Sequence, residues 1–219
     1  MADSYYQSRY TPSADRSIVW PEIVRFLGPY LAGASTVLDL GAGYCDFVNN
    51  VSAPERIAVD YSSASATFAA PGVRHITAGA DDLSQVKDAS VDVVFSSNLL
   101  EHLTDDQLAK TMTEVHRTLR PGGRFITMQP NYRLAYKNYF DDPTHVKVFS
   151  DVALGNFLVQ HHFRIVRAWP RFLPFSLKSR PGLLPVSPLI VRAYLNSPWK
   201  PFAGQMLFVA VGRDQATGG

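Results

Sequence analysis

A strand that ends in two closely spaced glycines is the part of this sequence best suited to do chemistry. Residues 37–47 read VLDLGAGYCDF, in which Gly41 and Gly43 follow an apolar strand and precede a helix start. Glycines at such a point let the backbone turn tightly and approach a ligand without an intervening Cβ. Asp60 ends the next apolar strand, nineteen residues after Gly41, at a position where a carboxylate binds a ribose diol. The spacing predicts a nucleoside-binding site.

The acids beside the glycines indicate what the nucleoside carries. A dinucleotide fingerprint has glycine or alanine where this chain has Asp46, because close packing under a pyrophosphate needs a small residue. Asp39 lies two residues before Gly41 and would repel that pyrophosphate. It suits a cationic ligand with an ammonium and a sulfonium instead. A plain tight turn is the alternative explanation of the glycines, and Asp39 and Asp60 together disfavour it.

Two histidines are placed for proton transfer. His102 follows the fourth predicted strand, and His145 lies in the loop after the fifth. The reference pKa of histidine, about 6.5, leaves it largely neutral near pH 7 and able to take a proton from a hydroxyl. We favour His145 as the general base, oriented by Asp142, with His102 as the other candidate. Hydrogen bonds from either ring to nearby backbone would give a purely structural role.

The same loop offers a second mechanism. Asp141, Asp142 and His145 lie within five positions, and oxygen-rich clusters hold Mg²⁺, which lowers the pKa of bound sugar hydroxyls. Three such residues do not define a metal site by themselves. Mg²⁺ therefore stays a possible cofactor, and the metal-free base is favoured.

Alternating strands and helices must position these groups. Apolar runs predict strands at 36–40, 56–60, 73–77, 91–96, 124–128, 163–168 and 205–211, and helices near 18–31, 46–50, 62–68, 105–119 and 150–161. The pattern indicates an α/β fold: a doubly wound, Rossmann-like, seven-stranded sheet, mostly parallel, with helices on both faces and an antiparallel last strand. Ligands of such sheets bind beyond the carboxyl ends of the strands, so the candidate residues should meet at one edge.

Length and composition suit one domain. The chain has 219 residues, 46% hydrophobic and 18% charged, as expected for a globular α/β domain. We divide residues 1–219 into an N-terminal lid and helix at 1–35, a cofactor-binding half at 36–129, acceptor-side loops at 130–149 and 169–204, and a final strand at 205–213. Seven of the 15 prolines fall in 169–204, which excludes a long helix there but allows short helical turns near 189–195.

Charge and cysteine usage restrict the location and the partners. No secretory signal or apolar run of roughly 20 residues is visible, and the single cysteine, Cys45, fits a reducing cytoplasm and a packing role. Residues 152–213 contain no acid, so their basic residues form a solvated face or a surface for an anionic acceptor or a transient membrane contact. No RNA-binding signature appears, so nucleic acid is not an expected partner. A homodimer is an open alternative.

Residues 37–128 resemble the class I S-adenosylmethionine-dependent methyltransferases. Besides the glycine turn, the matching segments are SVDVVF at 90–95, LEHL at 100–103 and LRPGG at 119–123. The resemblance implies S-adenosylmethionine as the cofactor, bound by Asp39, Gly41, Gly43, Asp60, Tyr61, Ala80, Asp81 and Ser97, with Arg9, Tyr5 and Tyr6 closing over it. Many members have an acid where this chain has Gly79, so Asp81 or the Ala80 amide would have to replace that contact to adenine.

Later segments resemble a narrower group, bacterial methyltransferases of polysaccharide biosynthesis. They are NYR at 131–133, DDPTHV at 141–146, residues 172–180 and SPW at 197–199. This implies O-methylation of a sugar hydroxyl on a small glycan or glycolipid precursor. The candidate acceptor-binding residues are Tyr132, Arg133, Tyr139, Lys178, Arg180 and Trp199.

Other functions fit the same fold. Amide methyltransferases present Asn-Pro-Pro-Tyr after the fourth strand, whereas this chain has Ser-Asn-Leu-Leu at 97–100, which disfavours that type of N-methylation. The alternatives are O-methylation of a small phenol, quinone or carboxylic acid, and an S-adenosylmethionine-binding protein without turnover.

Overall fold

A seven-stranded sheet organises the protein in a computed structural model that describes residues 14–175 and 186–212. Its helices are α1 (Ala14–Leu31), α2 (Asp46–Asn50), α3 (Asp105–Thr118), α4 (Tyr132–Ala135), α5 (Asp151–Gln160) and α6 (Pro188–Asn196). Its strands are β1 (Thr36–Leu40), β2 (Glu55–Asp60), β3 (Val73–Thr77), β4 (Val91–Ser97), β5 (Leu119–Pro130), β6 (Phe163–Trp169) and β7 (Gln205–Gly212). Short 3₁₀ helices cover Ser63–Phe68, Leu100–His102 and Tyr139–Asp141.

The strand order confirms the predicted fold class. The order is β3-β2-β1-β4-β5-β7-β6. The strands from β3 to β5 run parallel, and β7 is antiparallel to both of its neighbours. The carboxyl ends of β1, β2, β4 and β5 therefore share an edge with the first residue of β7, Gln205.

Both faces of the sheet are covered, as a central parallel strand requires. All five residues of β1 are buried. On one face Leu38 and Leu40 join the cluster that contains Met112 of α3, and on the other Val37 joins the cluster that contains Ile23 of α1. The two layers fix the position of β1 and of the turn that follows it.

Helix boundaries follow local capping. Thr104 and Gln107 form a capping box at the start of α3, and the Ser150 hydroxyl accepts a hydrogen bond from the Ala153 amide at the start of α5. Ser187 caps α6, which begins with Pro188 at a position where its missing N–H has no helical partner. This helix covers the turns predicted near 189–195.

Two predicted elements differ in kind or extent. The helix predicted at 62–68 is a 3₁₀ helix. Strand β5 begins at Leu119, not at 124, because Leu119 pairs with Val91 before a register shift. Gly122 takes a φ of 75° in this irregular stretch. The Pro-Gly-Gly segment at 121–123 therefore forms a bulge within β5, and α3 has already ended at Thr118.

Within residues 14–175 and 186–212, no helix is both long and apolar enough to cross a membrane.

Candidate cofactor and acceptor site

The glycine turn after β1 is fixed by the acid at the end of β2. The amide of Gly43 donates to Oδ2 of Asp60 at 2.8 Å, and the amide of Ser62 donates to Oδ1 at 2.9 Å. Gly41 has a φ of 72°, and a Cβ there would lie 3.0 Å from Cδ1 of Leu99. Glycine is needed at this position for its backbone conformation and for the close approach of Leu99.

A cavity of about 590 Å³ opens at the predicted edge of the sheet. Its wall combines the glycine turn, the end of β4, the loop after β5 and the start of β7. Predicted site residues on the wall are Asp39, Gly41, Gly43, Ser97, His102, Asp141, Asp142 and His145. Polar residues that the sequence did not single out for the site join them, among them Arg16, Asn98, Glu101, Asn138 and Gln205.

Asp39 is a buried acid on this wall. Its Oδ2 accepts from the Val48 amide at 3.3 Å, and only 3% of the residue is exposed. Burial raises the pKa of Asp39 to about 8, and the nearby Asp46 and Asp60 add to the rise. A buried acid with little compensation is suited to a cationic ligand.

Arg16 extends the site to α1. Its Nε donates to Oδ2 of Asp46 at 2.8 Å, and its guanidinium lies 4.7 Å from the ring centre of Tyr44. Asp46, which argued against a dinucleotide, therefore holds α1 beside the cavity. No periodicity in the sequence links positions 16 and 46.

The other predicted cofactor residues in the described part of the chain are not among those that line this cavity. Asp60 is buried against the glycine turn, whereas Tyr61 is 53% exposed. Oδ1 of Asp81 lies 2.5 Å from the point that a Cβ on Gly79 would occupy. The missing side chain at Gly79 thus makes room for the Asp81 carboxylate. Asp81 lines a second cavity, together with Lys110 and Arg117 of α3, so its contact with adenine stays a prediction. Arg9, with Tyr5 and Tyr6, lies outside the described residues.

His145 is held by a backbone carbonyl. Its Nδ1 lies 2.5 Å from the carbonyl oxygen of Tyr139, and Oδ2 of Asp142 lies 3.7 Å from its Nε2. A carbonyl only accepts, so Nδ1 carries the proton and the neutral ring has its lone pair on Nε2. In this tautomer Nε2 has the acceptor site that a base needs.

Asp142 and His102 meet through Thr144. The Thr144 amide donates to Oδ1 of Asp142 at 2.9 Å, and Nδ1 of His102 lies 3.1 Å from the Thr144 carbonyl oxygen. The two imidazole ring centres are 4.8 Å apart. Both candidate bases therefore lie together, each with Nδ1 against a carbonyl of the 130–149 loop.

Glu101 lies beside these histidines and is fully buried. Neither side-chain oxygen has a hydrogen-bond partner among the described residues, and burial raises the pKa of Glu101 to about 8. The sequence offered Glu101 only as a common neighbour of His102. Glu101, His102 and His145 each have a metal-ligand atom, and these three atoms lie within 4.8 Å of one another. This set differs from the predicted one, which was Asp141, Asp142 and His145.

Several predicted acceptor residues are engaged elsewhere. Tyr139 is fully buried, and its hydroxyl donates to the Lys147 carbonyl at 2.7 Å, so it packs the loop and offers no face to a sugar. Tyr132 packs edge-on against Tyr139. Arg133 lies 3.3 Å from Asp151, and Trp199 is 76% exposed and away from the cavity wall. Lys178 and Arg180 lie outside the described residues.

Two basic side chains of the C-terminal part make contacts within the protein, which the composition did not indicate. Arg192 donates to both carboxylate oxygens of Glu22, each at 2.9 Å. Lys200 is buried and donates to the carbonyls of Tyr194 and Leu195 at the end of α6. Burial lowers the pKa of Lys200 to about 8. These two cations stabilise the protein and do not form an anion-binding surface.

Cys45 has the packing role that was expected. It is fully buried with a φ of 58°, and burial raises the pKa of its thiol to about 11.

The segment that contains the glycine turn is similar to a known family of domains. Residues 38–127 match the family model described as a methyltransferase domain. The sheet is that of the Rossmann-like methyltransferases. The glycine turn, Asp60 and β4 all lie within this matched segment.

Curated proteins with similar sequences include two methyltransferases. A probable S-adenosylmethionine-dependent methyltransferase of Mycolicibacterium smegmatis is 29% identical over 73% of this chain and 64% of its own length. Phosphoethanolamine N-methyltransferase 1 of Triticum aestivum is 30% identical over 48% of this chain and 23% of its own. The chain thus spans less than two thirds of either relative.

Solved structures share the fold at low identity. A methyltransferase from Archaeoglobus fulgidus has a TM-score of 0.69 and 21% identity, covering 96% of this chain and all of that one. The 1,6-didemethyltoxoflavin-N1-methyltransferase of Burkholderia thailandensis, solved with that compound and S-adenosylhomocysteine, has a TM-score of 0.63 and 21% identity, covering 97% of this chain and 85% of that one.

Proposed function

We propose that this protein is an O-methyltransferase that acts on a sugar hydroxyl of a small glycan or glycolipid precursor, with His145 as the general base. One observation carries this proposal: the His145 ring lies on the wall of the cavity that also contains Asp39 and the glycine turn, with Nδ1 bound to the Tyr139 carbonyl.

The donor side fits S-adenosylmethionine. When bound, this cofactor supplies an electrophilic methyl group on a sulfonium. Asp39 would face the cationic methionine portion, and the turn at Gly41 admits the ligand without a Cβ. Asp60 holds the glycine turn through two backbone amides, and its carboxylate is the proposed ligand of the ribose hydroxyls. Asp81 is proposed at the adenine.

The hydroxyl proton of the acceptor is transferred to His145 in this proposal. The tautomer fixed by Tyr139 leaves a lone pair on Nε2 of His145, which takes the proton as the acceptor oxygen attacks. Asp142, 3.7 Å from that nitrogen, would stabilise the resulting imidazolium.

Polar groups on the cavity wall favour a hydroxyl-rich acceptor. Oε1 of Gln205 is buried without a hydrogen-bond partner among the described residues. Asn98, Asn138 and Asp141 lie on the same wall. Such a wall offers more hydrogen bonds than a phenol can use, so it supports a sugar over the phenol alternative.

An acceptor panel tests this proposal. Labelled S-adenosylmethionine is incubated with mannosides, glucosides, phenols and small carboxylic acids, and methyl incorporation is measured. The proposal expects transfer to one or more sugars, lost in His145→Ala. Transfer to phenols or acids alone would overturn the sugar assignment, and binding of S-adenosylhomocysteine with no transfer to any acceptor would favour a binding protein.

A further inference from the structure

Glu101 is a titratable group that the proposed reaction does not use. It is fully buried, and neither carboxylate oxygen has a hydrogen-bond partner among the described residues. Leaving a buried carboxyl unpaired is costly. The position is nevertheless fixed, because the amides of Val146 and Lys147 both donate to the backbone carbonyl of Glu101 at 3.0 Å. That contact holds the loop bearing His145 against Glu101.

The distances around Glu101 suit an ion better than a direct hydrogen bond. Ligand atoms of Glu101, His102 and His145 all lie within 4.8 Å of one another. The carboxylate oxygens make no hydrogen bond to either histidine. A first-row metal ion about 2.1 Å from each ligand separates neighbouring ligands by roughly 3–4 Å. Small side-chain rotations would close the site around such an ion.

Contacts behind the two histidines match those of metal ligands. A ligating histidine usually donates its other ring N–H to a carbonyl or carboxylate, which fixes its orientation. His145 has Nδ1 at 2.5 Å from the Tyr139 carbonyl, and His102 has Nδ1 at 3.1 Å from the Thr144 carbonyl. Both rings therefore have the supporting hydrogen bond that this arrangement requires.

We propose that Glu101, His102 and His145 form a binding site for one divalent transition-metal ion. Two imidazoles and one carboxylate suit Zn²⁺, Mn²⁺ or Fe²⁺, whereas Mg²⁺ prefers oxygen ligands. The ion takes the lone pair of His145 that the proposed base would use. His145 therefore cannot bind the ion and accept a proton at the same time. The bound ion inhibits methyl transfer because it occupies the proposed base.

Binding is tested without donor or acceptor, so that the result does not depend on the proposed function. Metal-free protein is titrated with Co²⁺ while its visible absorption is recorded, and with Zn²⁺ by calorimetry. The expected result is one ion per chain, with affinity reduced at least about 100-fold in Glu101→Gln. Asp141→Asn is the matched control, because Asp141 lies on the same wall outside the set of three, and its affinity should equal that of the wild type.

The outcomes separate the two proposals. Absence of binding, or equal affinity in Glu101→Gln and wild type at matched melting temperatures, would overturn the metal site. Loss of binding in Asp141→Asn with retention in Glu101→Gln would also overturn it, in favour of the loop acids. If Zn²⁺ binds and inhibits and EDTA restores activity, both proposals are supported. If the ion activates the enzyme, the metal site stands and His145 as a free base is overturned.

Discussion

The amide of Gly43 donates to Oδ2 of Asp60 at 2.8 Å, so the acid at the end of β2 holds the turn at the end of β1. A single carboxylate thus orders the backbone of the candidate donor site and is also the proposed ribose ligand. Its two roles can be separated by substitution, because asparagine keeps one oxygen acceptor and loses the charge.

We expect Asp60→Ala to weaken binding of S-adenosylhomocysteine by about 10- to 100-fold, since hydrogen bonds to a charged group contribute about 1.5–3 kcal/mol. Asp60→Asn should lose less, because its Oδ1 can still accept from one amide. Isothermal titration measures both affinities. Undiminished affinity in Asp60→Ala would remove Asp60 from the donor site.

The burial of Asp39 predicts a pH dependence of donor binding. Its pKa is about 8, so the carboxyl is mostly neutral at pH 6, and a cationic ligand must bind the ionised form. Affinity for S-adenosylmethionine should therefore rise with pH from 6 to 8, by up to about tenfold per unit, with proton release on binding. Titrations in buffers of different ionisation enthalpy measure the release. Asp39→Asn should bind S-adenosylmethionine weakly, with little dependence on pH. If the affinity of that variant depends on pH as steeply as that of the wild type, the titrating group is not Asp39.

Removal of the proposed base should act on turnover. His145→Ala, assayed with EDTA present, should lower kcat by about 10²- to 10⁴-fold. Affinity for S-adenosylhomocysteine should stay within about twofold, because the described contacts of the ring are to Tyr139 and Asp142 in the 130–149 loop. His102→Ala is the paired variant in the same assay. If His102→Ala is inactive while His145→Ala keeps its turnover, the base is His102.

Gly204 lies where an added methyl group would displace part of the cavity wall. A Cβ there would be 2.7 Å from Cβ of Phe175 and 2.9 Å from its backbone nitrogen, and Phe175 lines the cavity. Gly204→Ala should destabilise the fold by about 1–3 kcal/mol and raise the acceptor KM. Donor affinity should not change. Denaturant unfolding and steady-state kinetics measure these effects.

Gly28→Ala is the control for this substitution. Gly28 lies inside α1 with no atom within 4 Å of an added Cβ, so alanine there should stabilise by about 0.5–1 kcal/mol. An acceptor KM that is the same in Gly204→Ala, Gly28→Ala and wild type would show that the position of Phe175 does not affect the acceptor.

The strands and helices of the sheet could be predicted because the sequence patterns that mark them are local. Apolar runs and capping residues such as Ser150 mark strand and helix positions directly, and glycines mark the turn after β1. The contact between Arg16 and Asp46 joins residues 30 positions apart, and nothing in the pattern around either residue indicates it. The full extent of β5 was missed because a Pro-Gly-Gly segment suggests a loop, whereas here it lies in a bulge.

Side-chain roles in the 130–149 loop were harder to predict for a physical reason. Tyrosine and tryptophan serve equally as core residues and as sugar platforms, and only the folded structure shows that Tyr139 is buried and Trp199 exposed. Glu101 had no sequence signal for burial, since an acid between Leu100 and His102 suggests a solvated turn. His145 was preferred as the base because residues 141–146 resemble the narrower group of methyltransferases, and its role stays a prediction.

The antiparallel position of β7 affects the order in which the chain can assemble during synthesis. Strand β6 pairs only with β7 in the described sheet, and β7 also forms the outer neighbour of β5. Residues 163–169 therefore have no strand to join until residues 205–212 have left the ribosome. Until then β5 presents an unpaired edge, at which a nascent chain is open to wrong association. Premature termination before residue 205 would leave β5 as an exposed edge and β6 without its partner strand.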